Sequence, residues 1–488
     1  MRWLRGWLRE SAPWFAAVGL ANAAMGVSSV LIPLLLSRVL GGSVENLGWL
    51  AAAVSLVGVL GSLFWGRLSD AAHRRKPFVV ASYAAVCLVH AGLAFVGTFP
   101  ALLALNMTLN LFWVANAAVT VLILIENRPE ARWEGMISHL NQIGALGWVA
   151  GLGLGSGLLA TLSPWLGEAG AMRAAFVVIA ALALAATATA ALTVPRTVPR
   201  FTARRFRGVA LALGNFLVER ARFSPLHLYH RLRPIRAWQR LVSPRGFRPG
   251  TKRFLAATLL GFLAFGLFGI PLPLALSDRF GMSPPMVFAF FVVQHAAIVV
   301  AYPLASRRTK RLGNRRVQIA AVGLRTVLFA VVAGLAAGPW RTPTAILVGA
   351  FVLYGFSWSY FQLSGVALTS RLAKPANRGL ALGVYNAAAG WGWILAGIGS
   401  GLISERFGFA AAFAAGAGLS AVALAVLHWV PEPTVGEAAA EGGGQLRRRQ
   451  APPSGDEPRP RAAGQPVRRR GTSANSTPTA APIRAPAA

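Results

Sequence analysis

Apolar residues gather into twelve blocks of about 20 residues or more, at 12–36, 47–66, 77–97, 101–125, 135–160, 172–194, 254–276, 284–305, 317–337, 343–370, 378–402 and 408–430. A block of that length crosses a hydrocarbon core of about 30 Å, since a helix rises about 1.5 Å per residue. Hydrocarbon offers no water to backbone N–H and C=O groups, so each spanning block has to be a helix. The pattern predicts an all-α membrane protein with twelve transmembrane helices. Soluble core helices seldom reach this length, and twelve of them at this spacing would be exceptional.

The small and polar positions inside the blocks repeat. Asn22, Gly26, Ser29 and Pro33 form one stripe of the first span, and Phe262, Gly266, Gly269 and Pro273 recur at the same spacing 240 residues later. Gly41 then aligns with Gly281, Arg67 with Arg307, Arg75 with Arg315 and Lys76 with Arg316. Asn141, Ala145, Gly147 and Trp148 of the fifth span are echoed by Asn386, Gly390, Gly392 and Trp393 of the eleventh at an offset of 245. Two ordered tracts at nearly one offset predict two six-helix halves in parallel repeat, 12–194 and 254–430.

Three segments fall outside the spans. Residues 1–11 set Trp3, Leu4, Trp7 and Leu8 on one helical face with arginines on the other, which suits an amphipathic N-terminus in the headgroup layer or a solvated basic anchor. The linker 195–253 holds fifteen Lys and Arg against one acid, Glu219. Its basic, apolar-periodic stretches predict contact with anionic membrane lipids, with a protein-binding loop as the alternative. From 431 to 488 the chain turns to Pro, Gly, Ala and Arg, the composition of a disordered tail.

Composition agrees with the pattern: 55% of residues are hydrophobic and 13% charged, against about a quarter charged in soluble domains. A net charge of +33 invites a nucleic-acid reading, but the placement of the charge argues against that partner. With the N-terminus inside, all but six of the 48 Lys and Arg fall on the cytoplasmic side; Arg38, Arg173, Arg279, Arg341 and Arg406 lie outside and Arg325 within a span. This bias predicts a multi-pass protein of the cell membrane with both termini cytoplasmic. The single cysteine, Cys87, permits no internal disulfide, and no cleavable signal peptide is evident.

One segment stands apart. Gly66-Arg67-Leu68-Ser69-Asp70-Ala71-Ala72-His73-Arg74-Arg75-Lys76 reads as a tight basic loop with a single acid. It resembles the signature loop of the major facilitator superfamily of secondary transporters, G-x-L-x-D-R-x-G-R-R/K. Gly66, Leu68, Asp70, Arg74 and Arg75 match, while Ala71 and His73 depart from the pattern. The resemblance covers about 12–430. It implies a secondary transporter working by alternating access as a monomer, with a gate involving Gly66, Asp70, Arg74, Arg75, Asn141 and Asn386. In that gate Asp70 would face the start of the eleventh span, Pro375 to Gly379, where a helix N-terminus favours a carboxylate by about 0.3–2 kcal/mol.

The resemblance also implies a central cavity lined by spans one, four, seven and ten. Polar stripes lie in two of these. Span four places Asn106, Asn110, Trp113, Asn116 and Thr120 on one face, and span ten places Tyr354, Ser357, Trp358, Phe361, Gln362 and Gly365 on another. The residues expected to meet substrate are Asn22, Asn106, Asn110, Trp113, Tyr354, Trp358 and Gln362; the bland reading is glue between helices. Such a cavity suits a neutral or amphipathic organic solute. Efflux of amphipathic compounds is the first expectation, uptake of a neutral metabolite or sugar the second, and a non-transporting scaffold of the same fold the third. Arg325 is expected to snorkel to the interface, and His90, His139 and His295 read as packed or bonded. No cofactor, metal site or enzymatic constellation is expected, and proton coupling stays open with no residue assigned to it.

Overall fold

A computed structural model describes residues 13–72, 75–127, 133–195, 250–339, 342–373 and 378–431. The N-terminal residues 1–12, nearly all of the linker and the tail lie outside these, so the expectations placed on them are not addressed by it. All regular elements among the described residues are helical. They are α1 (Phe15–Arg38), α2 (Val44–Ala72), α3 (Arg75–Leu93) and α4 (Phe99–Asn127), then a rod Trp133–Thr193 that holds α5 before Gly167 and α6 after it. The second half has α7 (Thr251–Gly269), α8 (Pro284–Leu312), α9 (Asn314–Ala337) and α10 (Thr344–Leu372), then a rod Arg378–His428 with α11 before Gly408 and α12 after it.

Among the described residues nine helices are long and apolar enough to cross a membrane, and Phe99–Ala115 is a shorter apolar one. Two of the nine run 55 and 48 residues, twice what a bilayer needs. They turn at Gly167 (φ 69°) and Gly408 (φ 82°), a backbone region open to glycine and strained for other residues. Divided there, the helices follow the twelve apolar blocks segment by segment. α7 ends early because Pro271 supplies no N–H; the chain continues through a short turn, Leu272–Leu274, and a wide π-turn, Ala275–Arg279.

The segment read as a loop at 66–76 is shorter than expected. α2 runs on to Ala72 and α3 begins at Arg75, leaving only 73–74 between them. The helix passes the end of the apolar block because nothing in Leu68-Ser69-Asp70-Ala71-Ala72 breaks it, and alanine favours its continuation.

The repeat is structural as well as sequential. α2 and α8 each span 29 residues, starting at 44 and 284, and α4 and α10 each span 29, starting at 99 and 344. Gly41 and Gly281 share a positive φ, 62° and 67°. Each half is packed alike: α1 against the α5/α6 rod and α7 against the α11/α12 rod, α2 on α4 and α8 on α10, α3 on α4 and the first rod, α9 on α10 and the second. The halves meet along two seams, α2 with α11 and α5 with α8.

Side-chain contacts sort the helix ends into two faces. Arg38 approaches Glu168 and Asp278, Glu405 meets Val44, Arg173 bonds Ala94 and Val96, and Arg279 bonds Ala336 and Gly338. The six odd-to-even loops thus share one face. Thr251 bonds Leu372, Arg253 bonds Trp429 and Arg315 bonds His428 on the other, the termini face.

Candidate functional site

The chemistry of α10 begins with a residue on α9. Arg325 is fully buried. Its Nε donates to Ser357 Oγ at 2.9 Å and its Nη2 to the Tyr354 carbonyl at 3.4 Å. The guanidinium carbon lies 4.2 Å from the centre of the Phe265 ring, 4.7 Å from Tyr354 and 5.2 Å from Trp358. No ion pair to Arg325 occurs among the described residues. The expected snorkelling is therefore corrected: aromatic faces carry negative potential, and a planar, weakly hydrated guanidinium stacks on them.

Tyr354, expected on the cavity wall, is buried instead. Its ring packs on Phe268 at 5.3 Å and Phe329 at 6.0 Å, inside the C-terminal half. It serves as floor beneath the guanidinium. One turn further, Trp358 is half-buried and meets Phe262, Phe265 and Phe361. After another turn Gln362 is half-buried, and its Oε1 is buried with no hydrogen-bond partner among the described residues. An amide oxygen without a partner is costly unless water or a ligand reaches it. Arg325 thus anchors one side of α10, and Trp358 and Gln362 keep accessible surface.

The asparagines of the first half divide. Asn110 donates to the Val54 carbonyl at 3.1 Å, tying α4 to α2 where Gly58 leaves room. Asn22 donates to the Val18 carbonyl of its own helix at 2.8 Å and rests on Gly144 of α5. Asn110 acts as helix-to-helix glue, while the Asn22 bond stays within α1. Asn106 is half-buried with no hydrogen bond among the described residues, and Trp113 is half-buried against the core. The Asn116 side chain lies outside the described residues, and Thr120 is buried. The histidines are packed: His90 is buried against Ser28, His139 lies beside Phe15, and His295 bonds the Phe291 carbonyl and stacks on Trp148.

Of the expected gate residues, the side chains of Gly66 and Asp70 and the whole of Arg74 lie outside the described residues, as do 374–377. Arg75 is buried at the start of α3. Asn141 and Asn386 are exposed. Among the described residues, the hydrogen bonds and ion pairs joining the halves cluster at the odd-loop face. Arg38 of α1 donates from Nε to Ser277 Oγ at 3.2 Å and approaches Asp278 at 3.6 Å. Glu405 of α11 accepts from the Val44 and Glu45 amides at 3.0 and 3.4 Å, a carboxylate at the α2 N-terminus. The sequence reading missed Arg38. The signal was there: Ser37-Arg38 and Ser277-Asp278 stand at the offset of 240 with opposite charge.

Glycines set how closely helices approach. A Cβ on Gly147 would lie 2.2 Å from the Gly19 carbonyl and one on Gly151 2.0 Å from the Ala23 carbonyl, so α1 and α5 touch backbone to backbone. Gly392 does the same for α11 against Leu259 of α7.

A family model described as Major Facilitator Superfamily matches residues 14–324 and 254–474. The nucleoside permease NupG of Escherichia coli (strain K12) is 27% identical over 180 residues, 31% of this chain and 43% of the relative. The chain thus matches less than half the length of that curated relative. Among solved structures, a nucleoside transporter NupG superposes with a TM-score of 0.60 at 16% identity, covering 86% of this chain and 98% of the other. A POT family transporter bound to a thioalcohol-conjugated peptide gives 0.68 at 12% identity, covering 87% and 95%. The xylose transporter XylE from E. coli gives 0.59 at 13%, covering 86% and 98%. At these identities the structures speak for the fold alone.

Proposed function

The chain belongs to the Major Facilitator Superfamily of membrane transporters, and on that premise we propose that it is a permease for a small neutral solute carrying a flat ring and hydroxyl groups, of the nucleoside class. The observation that carries this reading is the Trp358–Gln362 pair of α10. An indole with accessible surface offers a stacking face, and one turn away a half-buried amide has a buried oxygen without a partner among the described residues. Asn106 and Trp113 of α4 add an amide and a second indole. The partial match to a nucleoside permease supports the same class. Arg325 is enclosed by rings and Ser357, so the wall it supports is polar and aromatic rather than ionic.

In this reading the two halves rock about the solute. Arg38 with Asp278 and Glu405 with the start of α2 hold the odd-loop face closed. Asp70, at the other end of α2, would latch the termini face in the alternate state. Both termini are placed in the cytoplasm by the charge bias, and the working unit is a monomer. Asp70→Asn is expected to cut flux while leaving membrane insertion intact; wild-type flux in that variant would remove the latch.

The test is flux in reconstituted liposomes of a nucleoside, a neutral pentose and an amphipathic dye, with and without an imposed proton gradient. Saturable nucleoside uptake is expected, with Gln362→Ala raising the half-saturation concentration about tenfold, the order of one lost hydrogen bond. Dye extrusion without nucleoside flux would restore the efflux direction and overturn this reading.

A further inference from the structure

A second site lies at the termini face of the C-terminal half. A cavity of about 480 Å³ opens where the starts of α7 and α9 meet the end of α12. Its lining carries Arg253, Arg315 and His428 and, among the described residues, no acid. Gly250 closes one wall: its φ is 90°, and a Cβ there would lie 2.2 Å from Pro431 Cδ.

Both arginines stand in the first turn of a helix, the end whose dipole disfavours cations. The end of α12 explains their position. Arg253 Nη1 donates to the Trp429 carbonyl at 3.0 Å, and Arg315 Nη2 donates to the His428 carbonyl at 2.7 Å. Each contact uses one of five guanidinium donors. Arg315 Nε is buried with no partner among the described residues, and Arg253 is exposed. His428 turns its Nδ1 to the Leu424 carbonyl at 2.8 Å. Two guanidiniums that line the cavity, each pinned through one nitrogen, suit a phosphate, which takes several charge-assisted hydrogen bonds at once.

The rim identifies the source of that phosphate. Trp429 is 71% exposed at the end of a membrane-crossing helix, where indoles lie at the headgroup level. We infer that this cavity binds the phosphate headgroup of an anionic phospholipid, with Arg253 and Arg315 on the phosphate and Trp429 against the glycerol region. Arg315 has a counterpart in Arg75 of the first half, but the other two basic residues have none. Pro13 stands 240 residues before Arg253, and Thr187 stands 241 before His428. It is independent of the solute cavity, so its test and the flux test fail separately.

The full chain in phosphatidylcholine nanodiscs with a minority of phosphatidylglycerol is the sample, and the lipid extracted with it is the readout. Wild type is expected to retain phosphatidylglycerol above its bulk share, and Arg253→Gln with Arg315→Gln to lower that excess about tenfold. Loss of two tail charges, Arg468→Gln with Arg470→Gln, is expected to leave the excess in place. Should the pair fail to fold, Arg253→Gln with His428→Gln is read instead. No excess in wild type, or equal loss in the tail control, overturns the site. Protection by inorganic phosphate in pure phosphatidylcholine, lost with Arg253→Gln and without phosphatidylglycerol enrichment, overturns the lipid and leaves a soluble anion.

Discussion

The two seams between the halves occupy equivalent places in the repeat and are sealed in opposite ways. On α2, Gly48 meets α11 backbone to backbone: a Cβ there would lie 2.4 Å from the Gly397 carbonyl and 2.7 Å from Gly401 Cα. On α8 the position 240 residues later is Phe288, whose ring fills the space over Gly155 of α5, 2.5 Å from where a Cβ would stand. The α5–α8 seam adds Ser156 Oγ donating to the Pro285 carbonyl at 2.9 Å and the Trp148–His295 stack. One seam brings backbones together at Gly48, Gly397 and Gly401 with only the small Val59 methyl set over Gly390, the other seats a large ring in a hole. A repeat therefore fixes which helices meet, not how firmly. Parting α2 from α11 has to withdraw one valine methyl, that of Val59 over Gly390, whereas parting α5 from α8 has to withdraw a buried phenylalanine.

The strongest way to break this comparison is to put a side chain into the α2–α11 seam. Gly397→Leu would overlap Ala52 N, 2.6 Å from an added Cβ, and the Gly48 carbonyl at 2.8 Å. Backbone neighbours cannot yield as side-chain tips do, so overpacking of more than about 3 kcal/mol is expected. Flux should fall at least tenfold, and the thiol introduced by Ser43→Cys in a Cys87→Ser background should react faster with a water-soluble reagent. Unchanged flux and reactivity would mean the helices do not touch in the working cycle.

Phe288→Ala comes next. Emptying the hole over Gly155 should destabilise the protein by about 3–5 kcal/mol, the usual cost for a buried phenylalanine, read as a lower melting temperature in detergent. An unaltered melt would show that the knob does not hold the seam.

The smallest effect belongs to Arg38. Its side chain and that of Asp278 are 38% and 39% exposed, so the pair contributes at most about 1 kcal/mol, or fivefold in a population. Arg38→Asp should shift the odd-loop face toward open by that factor, and adding Asp278→Arg should reverse most of the shift. Failure of the exchange to restore thiol protection in the Ser43→Cys background would assign the closure to Glu405 and the glycines.

Much of the fold was legible because hydrocarbon leaves few alternatives. Twelve apolar blocks have to be helices, and paired tracts at one offset have to fold alike. Helix ends were less legible. α2 passes its apolar block by several residues because 67–72 holds no breaker, and hydropathy cannot see that. The site was legible by stripe but not by residue. Spacing put Tyr354, Trp358 and Gln362 on one face. The structure buries the first under Arg325 and leaves the other two partly accessible. Asn110 and Asn106 share a stripe as well, yet only Asn110 finds the Val54 carbonyl.

By itself the sequence determined the helical, apolar character of the chain and its duplication, since these follow from local chemistry repeated along the chain. Tertiary structure decided what each interrupting residue does. Whether a glycine admits a neighbouring backbone, a ring fills a hole or a buried guanidinium finds aromatic faces depends on what lies opposite. Those partners stand tens to hundreds of residues away, where no local pattern reaches.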